Sequence, residues 1–156
     1  MKRHFRVAFY FISIVVIPWS TSIAQRNSYQ DVLNLKTSVQ NPKDIRASVF
    51  SDLGAWHAYA LPEKIENSGG FVGPLIMDME GRWLSENFSR LFITVDGKEV
   101  DLTNANVHSY YLPGMLVQEL ETENLKIKME LVFVSNRQAL INTSIKNTGK
   151  NTMNIV

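Results

Sequence analysis

Between Ser51 and Pro74 the chain gathers Trp56, His57, Tyr59 and Phe71 among Gly and Pro residues. They fall in two runs, Ser51-Asp-Leu-Gly-Ala-Trp-His-Ala-Tyr-Ala-Leu-Pro62 and Gly69-Gly-Phe-Val-Gly-Pro74. Flat aromatic faces with a few polar groups suit sugar rings, which offer C–H faces and a rim of hydroxyls; small-molecule sites in general combine apolar walls with convergent polar atoms. Stretches that break regular structure read as loops, and loops held out by a scaffold commonly carry recognition. Large aromatics equally plug the end of a β core, and on residue chemistry alone Trp56 and Phe71 are open to that reading.

Glycoside hydrolysis needs an acid and a base or nucleophile facing each other across the scissile bond. Asp52, Glu63, Glu66, Asp78, Glu80 and Glu86 qualify by type, but no spacing pairs them, and carboxylates are ordinarily solvated surface. No catalytic residue is assigned. His57 and His108 stand far apart in a chain without Cys, whereas zinc takes three or four converging ligands, so no metal and no cofactor is expected. Gly69, Gly70 and Gly73 lack the spacing and the strand-to-helix setting of a phosphate cradle, and no G-x-S-x-G elbow is present. Asn87-Phe-Ser89 and Asn142-Thr-Ser144 match the glycosylation acceptor triplet, a pattern frequent by chance.

The elements that must position these residues begin after a segment of another kind. Lys2, Arg3 and Arg6, the apolar run from Val7 to Ile17, Pro18 and the small residues Ser22 and Ala24 predict a helical secretory signal peptide over residues 1–24, cleaved near Ala24. The apolar run falls short of the roughly 20 residues that span a bilayer; an uncleaved anchor is the alternative, and no Cys follows to take a lipid. The expected location is the periplasm or the medium, with no membrane association after cleavage. That segment carries three of the 16 basic residues and none of the 15 acidic ones, leaving 13 against 15, a formal −2. This balance does not resemble the basic footprint of a nucleic-acid binder. Without Cys the exported fold is held by its core alone.

Residues 25–48 read as an extended polar lead-in that wraps the domain, and residues 49–156 as one domain. Gly81 predicts a turn within Met77–Leu84. Leu91–Val95 and Lys98–Leu102 flank Asp96-Gly97, a strong short hairpin signal because the matching turn needs positive φ at both central positions. Tyr110-Tyr-Leu-Pro-Gly114 reads as punctuation before a strand at Met115–Leu120. In Leu125–Val134 the apolar Leu125, Ile127, Met129, Leu131 and Phe133 alternate with Lys126, Lys128 and Glu130, a period of two that a helix would scatter around its circumference. Ala139–Lys146 predicts a further strand, and Thr152–Val156 the start of another. The expected fold is all-β, an antiparallel β-sandwich, truncated at its last strand as though it were the front piece of a longer protein.

Several ordered runs carry a resemblance: Ser51-Asp-Leu-Gly-Ala-Trp-His-Ala-Tyr-Ala-Leu-Pro62, Gly69-Gly-Phe-Val-Gly73, Ser85-Glu-Asn-Phe-Ser-Arg-Leu91, Asp96-Gly-Lys-Glu-Val-Asp101, Leu112-Pro-Gly-Met-Leu-Val-Gln118 and Asn136-Arg-Gln-Ala-Leu-Ile141. From about Val49 to the end the chain resembles the N-terminal domain of bacterial glucosidases of glycoside hydrolase family 63. The resemblance implies a β-sandwich of the large super-sandwich type joined to a C-terminal barrel of paired α-helices. In that family the barrel holds both carboxylates and hydrolyses α-glucosidic or related linkages with inversion. It further implies that this chain alone is inactive and that its partner is the barrel of the same parent protein. Asp52, Trp56, His57 and Phe71 would then lie in a loop facing the barrel or an oligosaccharide. A free-standing carbohydrate-binding or adhesive sandwich is the competing expectation.

Overall fold

A computed structural model describes residues 29–44 and 46–156; the signal-peptide reading of residues 1–24 lies outside them. Ten strands, two single-turn 3-10 segments and connecting turns make up the described chain. The strands are β1 (Lys36–Thr37), β2 (His57–Pro62), β3 (Val72–Ile76), β4 (Arg82–Trp83), β5 (Thr94–Val95), β6 (Lys98–Glu99), β7 (Asn106–Leu112), β8 (Met115–Glu121), β9 (Leu125–Ser135) and β10 (Gln138–Asn147). One sheet runs β1-β2-β3-β4, with β1 parallel to β2 and the rest antiparallel. A second runs β10-β9-β8-β7, antiparallel throughout, and β5 forms a small two-stranded sheet with β6.

The second sheet follows from its sequence pattern. Leu125, Ile127, Met129, Leu131 and Phe133 are all buried on one face of β9, while Lys126 and Val134 are exposed on the other. Leu116 and Leu120 of β8 stand beside them, and from the opposing side Phe50, Tyr59, Leu61 and Phe71 complete the same hydrophobic cluster. Both sheets therefore share one core. Gln118 falls on this inner face between Leu116 and Leu120 and is fully buried. Its Nε2 donates to the Gly70 carbonyl at 2.5 Å and its Oε1 accepts from the Gly69 N–H at 3.2 Å. A buried amide so paired avoids the desolvation cost of an orphaned polar group and ties the 69–70 backbone to β8.

The first sheet departs from expectation. The Trp-bearing stretch read as a loop contains β2, and the Gly-rich run leads into β3. The physical reason is that β2 is buried on both faces: Tyr59 and Leu61 enter the shared core, while Ala58 and Ala60 enter a second cluster with Val39, Val72, Leu75 and Trp83. A doubly buried strand shows no apolar–polar alternation, and Ala is a weak strand former. The lead-in covers the outer side of this sheet. Trp83 donates its indole N–H to the Asp44 carbonyl at 2.6 Å and its backbone N–H to Pro42 at 2.8 Å, and Val39 is buried in that second cluster, whereas Leu35 enters the shared core. Between β2 and β3 the register shifts, Ala58 facing Leu75 and Ala60 facing Val72. Gly73 at the shift has φ of 132°, and a Cβ there would lie 2.9 Å from the Tyr59 ring, so the close approach requires glycine.

Smaller differences have local causes. Asp96 and Gly97 both take positive φ, 49° and 76°, as the hairpin signal predicts, but β5 and β6 have two residues each. β6 stops because Asp101 accepts from the Thr103 N–H at 2.9 Å and caps the 3-10 turn Leu102–Asn104. The seven-residue β7 runs through the punctuation expected at Tyr110–Leu112; its turn, Pro113-Gly114, gives φ of 83° to Gly114. At Thr152–Val156 the expected strand start is a short antiparallel contact: Ile155 bridges Val95, and Val156 exchanges backbone hydrogen bonds with Thr94 at 3.0 and 3.1 Å.

Candidate functional site

The connections at one end of the molecule build the site. β7 and β9 both rise to this end, so the Pro113-Gly114 and Asn136-Arg137 turns meet there with the turn preceding β2. In that last turn Leu53 and Gly54 take φ of 53° and 69°. Asp52 Oδ1 accepts from the Leu53 N–H at 2.7 Å, and the Asp52 carbonyl accepts from the Ala55 N–H at 3.0 Å. Left-handed backbone is uncommon for leucine; here the Asp52 bonds hold it. The turn delivers Ala55 inward and Trp56 outward, and the Trp56 carbonyl is fixed by the Met77 N–H at 2.9 Å.

Beneath Trp56 lies an aromatic floor. Phe133 of β9 sits 5.3 Å from Phe50, 5.1 Å from His57 and 6.0 Å from Tyr59, centroid to centroid, and His57 meets Tyr59 edge-on at 5.7 Å. Such tilted and edge-to-face contacts stabilise beyond their buried area and join the two sheets. Burial pushes the Tyr59 phenol pKa above its ordinary value, so this group stays neutral in the physiological range. Above the floor opens a cleft of about 660 Å³, walled by Trp56, His57 and Tyr59 on one side and Asn136, Arg137 and Gln138 on the other. Trp56 is 75% exposed.

Of the four residues expected in one loop, the structure brings only Trp56 and His57 together at this cleft. Asp52 is half-buried and spends a carboxylate oxygen on the turn that presents Trp56. Phe71 is fully buried in the shared core, bonded through its backbone to Phe88; its ring belongs to packing. Asn136, Arg137 and Gln138 carry no chemical signal in the sequence because they form a short polar turn and the first residue of β10, and only the β9–β10 pairing shows where they land. None of Glu63, Glu66, Asp78, Glu80 and Glu86 lines the cleft; all are exposed. Lys43 pairs with Glu80 at 3.3 Å, and Asp78 accepts from the Gly81 N–H at 2.8 Å. Among the described residues no three His, Cys, Asp or Glu side chains are grouped to hold a metal ion.

The cleft can thus offer a flat apolar face and hydrogen-bond donors, but it presents no acid and base across a gap. A comparison with known families agrees with the ordered runs noted in the sequence: the family described as Glucosidase YgjK, N-terminal, matches residues 33–156. That match covers nearly all of the described chain, including both sheets and the cleft, and the family falls within glycoside hydrolase family 63. The chain belongs to the family of N-terminal domains of YgjK-type glucosidases.

Proposed function

We propose that this chain is the non-catalytic front domain of an exported, inverting α-glucosidase-like hydrolase. It buttresses a C-terminal barrel of paired helices that carries both catalytic carboxylates, and its Trp56-bearing end walls the mouth of the sugar pocket. The observation that carries the reading is the family match over residues 33–156. Two sheets on one shared core support a β-sandwich of the super-sandwich type. Carboxylates scattered over the exposed surface support a division of labour in which the reacting groups reside elsewhere. The basic and apolar opening of the chain supports passage to the periplasm or the medium.

Hydrolysis of 4-nitrophenyl α-D-glucoside tests the assignment. The chain alone releases no nitrophenol, whereas the parent polypeptide does so and yields the inverted anomer by NMR. Hydrolysis by the isolated chain overturns the reading, as does a parent polypeptide that leaves glucosides intact.

A further inference from the structure

We propose that the cleft between Trp56 and the β9–β10 turn is itself a saccharide-binding site, with the Trp56 indole as stacking platform and Asn136, Arg137 and Gln138 as the hydrogen-bonding wall. The inference rests on the pocket-wall reading above and deepens it by naming the residues that meet the sugar, and it applies to the chain on its own. Several observations converge on it. The indole is exposed although its backbone is pinned to the end of β3 and both Ala55 and Ala58 beside it are buried. A large ring held out on a rigid strand start loses little conformational freedom when it is covered. Facing it, the side chains of Asn136, Arg137 and Gln138 make no hydrogen bond or ion pair to any described residue, and neither does the indole N–H. Donors with free valence are thus gathered around one apolar face.

The volume of about 660 Å³ lies within the range of small-ligand sites, roughly 300–1,000 Å³. The lining contains no carboxylate, so nothing in it asks for a cationic ligand, and an acyl chain would leave the amide and guanidinium donors unpaired. A pyranose ring satisfies both walls: its C–H face lies on Trp56, and its hydroxyl oxygens accept from Asn136, Arg137 and Gln138. The competing occupant is another part of the parent polypeptide docked in the cleft, and the test separates the two.

The full chain is titrated with maltotriose and followed by saturation-transfer NMR and calorimetry. Binding with Kd in the range of about 1–10 mM is expected, with the strongest transfer to ring C–H protons. Trp56→Ala weakens it at least about tenfold, as for an aromatic anchor, and Gln138→Ala or Arg137→Ala weakens it about three- to tenfold. All three variants keep the parent thermal midpoint. Phe92→Ala, which removes an exposed ring elsewhere, changes nothing. Absence of transfer up to about 50 mM, or binding indifferent to Trp56→Ala, overturns the proposal. So does a parent polypeptide in which Trp56 emission resists iodide quenching, which places protein in the cleft. Glucoside hydrolysis by the parent is assayed in parallel: intact hydrolysis without maltotriose binding by the chain sinks this inference alone, and binding without hydrolysis sinks only the enzymatic assignment.

Discussion

At the scale of single residues, two polar side chains on opposite faces of β8 and β7 report on the core. Gln118 holds the Gly69–Gly70 backbone from within the apolar layer. Gln118→Leu keeps the bulk but orphans that N–H and carbonyl; a loss of about 1–3 kcal/mol in urea unfolding is expected. Gly70→Ala is expected to cost about as much, about 1–3 kcal/mol, because a Cβ would run into the Asn87 carboxamide and the Phe88 carbonyl. On the outer face, burial, the Glu119 charge and its 3.1 Å hydrogen bond, and the Glu130 charge push the Tyr110 phenol up to about 12. A raised folded-state pKa means that the folded chain keeps its proton while the unfolded chain ionises. The associated stability is therefore complete below about pH 10, the ordinary tyrosine value, and is lost as pH rises from there towards about 12. Denaturation midpoints across this window should fall for the native chain, and Tyr110→Phe should lack that component of the decline.

At the scale of elements, β9 sets the test of inside against outside. Leu131 is fully buried between the sheets, whereas Leu140 on neighbouring β10 is 52% exposed. Leu131→Ala is expected to cost about 2–5 kcal/mol, and Leu140→Ala about 0.5 kcal/mol or less, measured by the same urea titration. The elements legible in advance were those with one dry and one wet face. β9 announced itself through Leu125, Ile127 and Met129, and the Asp96-Gly97 turn through its need for left-handed backbone. β2 was hidden because Ala58 and Ala60 face a second cluster formed by residues distant in sequence, so neither face is polar. β7 was hidden because His108 and Tyr110 stack on the outer face and blur the alternation. The cleft was half legible: the aromatics gathered around Trp56 were visible as chemistry. Their opposite wall, Asn136 to Gln138, depends on two strand pairings and a shared core, which no local pattern encodes.

At the scale of the whole molecule, the polar lead-in lies against the domain. Asp31 exchanges two hydrogen bonds with Tyr111, each of 2.9 Å, β1 adds a parallel strand beside β2, and the run to Asp44 shields Trp83. A chain beginning at Ala47 loses buried Leu35 and Val39, each contributing about 1.5–3 kcal/mol. Its thermal midpoint is expected to drop by about 2–8 °C for every kcal/mol removed, checked by circular dichroism. The opposite flank behaves differently. Among the described residues β10 pairs with β9 on one side only, and its inward Ile145, paired with fully buried Ile127, is still 38% exposed. A bare ladder with apolar side chains is a template for foreign strands. Produced on its own, the chain should therefore seed filaments at high concentration, and a lysine in place of Thr143 should act as a gatekeeper that keeps it dispersed.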